Sequence, residues 1–263
     1  MKVVLPSKGL LGTRCVDMRE PTYGDLRKTI SATDDEYLFK YEFVSGLCQF
    51  DSTKITMDDV QYLYDVAVTA ITFNTLHIRA KCGECGTEID CEFSFIEDEV
   101  PIKNLHKESR KCKKKINDTE YVFHILSAQD GVDIHTYALD DTESEKMIEE
   151  ATVCKVLGYD ITDENIEKVR NLPVSIYIAC FLYIKANEHG MVIRKKAKCP
   201  KCGNDAYIRI RLDSSWVKAD LPTLIAQYAK IRDCLDFKAF LDFTVPELKN
   251  FVEYLNAEAE KNG

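Results

Sequence analysis

Four cysteines in two C-x-x-C-G turns carry the clearest chemistry in the sequence: "KCGECGTE" holds Cys82 and Cys85, and "KCPKCGND" holds Cys199 and Cys202. Two intervening residues let both sulfurs of a pair reach one ion. The glycine that follows permits a sharp turn of positive φ. Each pair is half of a tetrahedral four-thiolate site, and lysines beside both turns favour thiolate over thiol. Cys199 stands 117 positions after Cys82. One structural Zn2+ per chain, held by Cys82, Cys85, Cys199 and Cys202, would therefore tie distant parts of the chain together.

Competing ligand sets exist. Cys91 and Cys112 could join the first pair, which would leave Cys199 and Cys202 with only His189 and Cys234 within modest reach. A shared ion orphans no pair and is preferred. A redox dithiol should open a helix. Here "GTEIDCEFSF" reads as a strand, which speaks against redox chemistry. The phosphate-binding, metalloprotease and serine-hydrolase motifs are absent, and the five histidines show no close pairing. The expectation is a non-enzyme.

Strands are expected to flank both turns, at 76–81 and 88–96 and at 191–198 and 206–212, with another at 120–126. Helices are expected at about 33–47, 56–75, 141–157, 163–170, 173–188, 220–234 and 245–260. Several begin at a Thr followed by acids, as in "TDDE", "TMDD", "TDEN" and "TVPE". There the hydroxyl accepts from free N–H groups and the acids suit the positive helix end. The first 30 residues lack helical periodicity and read as an extended arm. The fold class is α+β: a helix-rich body with a small zinc-ribbon sheet formed by two knuckles. "RAKCGECGTE" and "KAKCPKCGND" coincide at one offset, through either duplication of a helix–strand–knuckle–strand unit or convergence of two knuckles. The organisation expected is an arm over 1–30, a first helix–knuckle half over 31–137 and a second over 138–263, the halves joined through the zinc in one compact domain.

The chain has 263 residues, 45% hydrophobic and 30% charged, with a net charge of −9. That charge argues against nucleic acid as a partner of the whole chain. Two local runs differ. Residues 103–115 carry seven Lys/Arg against one Glu, and basic residues crowd the second turn from Arg194 to Lys201. Each is read as a solvated loop or as an anion- or partner-binding patch. No run reaches the ~20 apolar residues of a membrane span, and no secretory leader is recognised at the start. A cytosolic, membrane-free protein is expected. Eleven cysteines without an export signal speak against a disulfide framework.

The opening "LPSKGLLG" (5–12), then "VDMREPTYGD" (16–25) with Arg19 and Thr22, and the acidic helix start "SATDDEYL" (31–38), followed by the knuckles, resemble the T4-type bacteriophage baseplate hub and hub assembly protein family. The match is clearest over 5–40 and at the knuckles. The resemblance implies a component or assembly factor of a contractile tail, a chaperone for hub and tape-measure proteins, acting in the host cytoplasm or retained in the virion baseplate. Its implied partners are phage tape-measure and baseplate hub proteins, with self-association left open. Leu5, Pro6, Ser7, Lys8 and Gly9 form either a docking arm for such a partner or a segment folded onto its own core. The alternative function is a zinc-ribbon nucleic-acid-binding factor.

Overall fold

The computed structural model describes residues 1–72, 75–106, 111–116, 119–139, 144–217, 228–229, 231 and 236–262. Helix takes 45% and strand 23%, the strands pairing in small antiparallel sheets, so the fold is α+β. The chain forms two compact units. One gathers Met1–Met18, Thr33–Leu63 and Ile102–Gly190, the other Arg19–Ala32, Tyr64–Pro101 and Met191–Gly263. Boundaries near 30 and 137 do not reproduce this division, because each unit is closed by pairings between segments distant in sequence. Among the described residues, no helix is long and apolar enough to cross a membrane.

In the first unit, Lys2–Val4 pairs antiparallel with Cys15–Asp17, so the start of the chain is a short hairpin. Helix Glu36–Leu47 is capped by Asp35, whose carboxylate accepts from the Leu38 N–H at 2.8 Å. Helix Met57–Ile71 begins at a reciprocal cap: Thr56 Oγ1 accepts from Asp59 N–H, and Asp59 accepts from Thr56 N–H. Helices Ala128–Tyr137, Ser144–Val156, Asp163–Arg170 and Val174–Asn187 enclose a core that includes Phe123, Ile134, Val153, Cys154, Ile166 and Cys180. Burial pushes the Cys180 thiol up to about 12, as befits a small core residue with no thiolate chemistry.

The basic run is not simply a loop. Residues 107–110 lie outside the described part. Lys111–Ile116 is a strand paired with Thr119–His124, whose Phe123 is fully buried. Alternation of Cys112 with lysines lets one face pack while the other carries charge.

In the second unit, helix Tyr23–Lys28 replaces the end of the expected arm. Its six residues are too few to show a period, but Thr22 and Asp25 form a capping box. Tyr23 packs on Phe240 of helix Phe237–Asp242 with ring centroids 4.7 Å apart, and its N–H donates to Phe243 O at 2.9 Å. Helix Val245–Asn262 follows, with Thr244 and Glu247 in the same reciprocal cap. The helix expected at 220–234 lies almost wholly outside the described residues, as do 141–143 of the helix found at Ser144–Val156.

Candidate metal centre

Two antiparallel hairpins of the second unit present the cysteines. Thr75–Lys81 pairs with Glu88–Ser94, and Ile193–Lys198 pairs with Asp205–Ile210. The registers match at the turns: Lys81 faces Glu88 as Lys198 faces Asp205, and Ala80 faces Ile89 as Ala197 faces Ala206. The turns share their bonds as well. Cys82 N–H donates to Thr87 O and Gly86 N–H to Cys82 O; Cys199 N–H donates to Asn204 O and Gly203 N–H to Cys199 O, all at 2.9–3.0 Å. Gly86 and Gly203 take φ of 69° and 72°, the left-handed region that a side chain strains. The echo at the two turns is thus an echo of backbone geometry.

The four sulfurs converge. Cys82 Sγ stands 3.8 Å from Cys202 Sγ, Cys85 Sγ stands 3.5 Å from Cys199 Sγ, and all four lie within 4.8 Å of one another. Sulfurs about 2.3 Å from a central ion at tetrahedral angles are about 3.8 Å apart. The spacing therefore fits a metal ion. Cys82 and Cys199 are buried in a small apolar cluster with Ile89, packed by Ala197, Ala206 and Ile208, while Cys85 is half-buried and Cys202 exposed.

Local electrostatics point the same way. The Thr87 hydroxyl and N–H beside Cys85 pull its thiol down to about 6. Backbone N–H groups of Cys202 and Lys201 hold Cys199 below its ordinary value. For Cys202 the Asn204 N–H favours thiolate, yet Cys199, burial and the other sulfurs outweigh it and push the thiol up to about 12. Sulfurs this close retain a proton between them until a cation takes its place. A four-coordinate cation relieves that repulsion and leaves no ligand position open.

The rival ligands stand elsewhere. Cys91 is paired with Ile78, well along its hairpin from the turn, and Cys112 is in the first unit. His189, also in the first unit, is enclosed there: its Nε2 is 2.7 Å from Thr56 Oγ1, and its Nδ1 is 2.8 Å from Asn187 O. Cys234 lies outside the described residues. Sequence reasoning missed Thr87 as a partner of Cys85 and missed the apolar floor beneath the turns. The alternation of Ala197, Ala206 and Ile208 with the exposed Lys196, Lys198, Asp205, Tyr207 and Arg209 carried that signal.

The docking segment takes the second of its two expected forms. Leu5, Pro6 and Ser7 are buried within the first unit, Ser7 N–H donates to Asp59 Oδ1 at 3.2 Å, and Leu105 N–H donates to Pro6 O at 3.0 Å. Only Lys8 is exposed, with Gly9 half-buried at φ 78° in the turn. The apolar anchors of "LPSKG" are consumed by their own core.

Comparison with protein-family models, with curated proteins and with solved structures gave no match to this chain.

Proposed function

We propose that this chain is a zinc-bound, non-enzymatic assembly protein of a contractile phage tail, which works by binding hub or tape-measure proteins in the host cytoplasm. The observation that carries the structural half of this reading is the closed set of Cys82, Cys85, Cys199 and Cys202. Four thiolates complete zinc's tetrahedron, so the ion is a fastener with no place for substrate or activated water. The paired hairpins then constitute a zinc ribbon whose strands come from two separate parts of the chain.

The functional half rests on the resemblance of "LPSKG", the Arg19–Thr22 step and the knuckles to the T4-type baseplate hub family. Arg19 donates twice to Asp25, at 2.6 and 2.8 Å, and Thr22 caps the same helix turn. These residues therefore do structural work and need not be surface coincidences. With Leu5 to Ser7 buried, partner contact at this end of the chain reduces to Lys8 and its neighbours.

Co-expression with cognate tape-measure and hub proteins tests the proposal. The expected result is a co-purifying complex or a gain in tape-measure solubility that persists in high salt. If neither protein co-purifies, from co-expression or from infected cells, the assembly role is refuted.

A further inference from the structure

The two knuckle hairpins share a backbone but not a surface. On the exposed face of the first, each cation meets an acid across the strands: His77 faces Glu92, Arg79 faces Asp90 and Lys81 faces Glu88. Arg79 Nε donates to Asp90 at 3.0 Å, and His77 lies 3.2 Å from Glu92. The same positions of the second hairpin break this pattern. Arg194 faces Arg209, Lys196 faces Tyr207 and only Lys198 meets an acid, Asp205. Lys201 in the turn and Arg211 beyond the strand add to the charge, and all of these side chains are exposed. Asp205 is bonded to Lys196 at 2.6 Å. Among the described residues, no carboxylate pairs with Arg194, Lys198, Lys201 or Arg211.

Arg194, Lys198, Lys201 and Arg211 thus put four cations on this face without a carboxylate bonded to them among the described residues. Arg194, Lys196 and Lys198 recur every second residue, at intervals of about 6.6 Å, as a row that a chain of phosphates can follow. Amid this row Tyr207 is 77% exposed, with Lys196 Nζ 5.7 Å from its ring centroid. A large exposed ring among cations has little to offer a carboxylate-rich peptide. It offers a base a stacking platform beside the charges that hold its phosphates.

From this pairing of a cation row with an exposed ring, we infer that the outer face of the second hairpin binds a segment of single-stranded nucleic acid. The inference goes beyond the assembly reading and does not depend on it. The net charge of −9 is a sum over the whole chain and does not fix the sign of one face, which on the second hairpin is basic. At physiological ionic strength, exposed charges more than about 8 Å apart are largely screened from one another.

The experiment is fluorescence anisotropy of the metal-replete full chain with labelled 15-mers of dT and of U, a 15-base-pair duplex and a poly-glutamate peptide. For about four phosphates contacted, single-strand affinity should fall roughly 50-fold between 50 and 200 mM salt. Arg194→Gln/Lys198→Gln/Arg211→Gln should flatten the log–log salt slope by about 2. Tyr207→Ala should weaken binding roughly 5- to 100-fold with the slope unchanged, as loss of stacking requires. Arg79→Gln on the first hairpin should change nothing. Metal content and melting temperature confirm that each variant is folded, and the Tyr207 variant stands alone if the triple variant is not. The dT and U arms decide which strand is preferred, and either supports the inference. Failure of both 15-mers to bind at 50 mM salt overturns it, as does equal binding of duplex or poly-glutamate, or indifference to both variants. Co-purification with a tape-measure protein is untouched by any of these outcomes.

Discussion

Removing either half of the cysteine cluster tests the shared ion most directly. Consider Cys82→Ser/Cys85→Ser and, separately, Cys199→Ser/Cys202→Ser. One ion on all four sulfurs cross-links positions 114 residues apart. Treated like a covalent cross-link, closing a loop of that length removes about 5 kcal/mol of chain entropy from the unfolded state. Zinc on small four-ligand modules contributes more in apparent free energy, about 10–16 kcal/mol, so 5 is a floor. A typical domain is stable by only about 5–15 kcal/mol. Each double variant should thus melt about 10–20 °C lower, or leave the second unit unfolded. The assay is metal per chain by mass spectrometry, thermal unfolding and amide exchange over 75–94 and 193–210. Wild type should carry close to one ion, and both variants close to none, with equal losses of stability. Two ions in wild type and one in each variant would refute the shared site. So would a Cys82/Cys85 variant as stable as wild type.

Other outcomes follow from single positions. Gly203→Ala or Gly86→Ala places a side chain where φ is near +70° with nothing within 4 Å of the new carbon. Backbone strain alone should therefore cost about 1–2 kcal/mol, read by thermal unfolding, and an unchanged melt would contradict the assigned turn. Burial alone would raise Asp25, but bonds from Arg19 and Thr22 hold it down to about 2. Because its folded pKa lies below its unfolded one, its stabilisation is complete above pH ~4 and is lost as pH falls toward 2. Arg19→Gln should shrink that acid-labile part, worth about 2 kcal/mol, in unfolding measured from pH 5 to 2. Gly131→Ala would set a methyl 2.4 Å from the Tyr37 ring, whose hydroxyl is tied to Ala128 O at 3.0 Å. It should destabilise by about 1–3 kcal/mol while metal content stays at the wild-type value.

What the sequence made legible was chemistry at short, fixed offsets. The Cys pairs, their glycines and the threonine caps at Thr56, Thr162 and Thr244 all act within a few residues, and each stands as expected. The helix Tyr23–Lys28 was too short for periodicity to register, although its cap was in plain view as Thr22 and Asp25. The strand Lys111–Ile116 was hidden because lysines outnumber its packed residues. Burial of Leu5 to Ser7 depends on Asp59 and Leu105, which no local pattern connects to them. The charge contrast between the hairpins was invisible until register paired Arg79 with Asp90 and Arg194 with Arg209. Division into two units likewise follows from pairings between remote segments.

The separation of the two cysteine pairs also has a meaning in time. A ribosome adding about 5–20 residues per second completes the second turn roughly 6–23 s after the first. Throughout that interval Cys82 and Cys85 are synthesised and able to turn, but have no partner sulfurs. The nascent chain carries a half-formed clasp that can hold a metal only with borrowed ligands, and a thiol pair open to oxidation. Folding of the second unit is thereby made conditional on synthesis of the second turn, whatever the stability of its first hairpin. If the four sulfurs share one ion, metal supply and thiol redox state during those seconds bear on folding as well as the strength of the finished site.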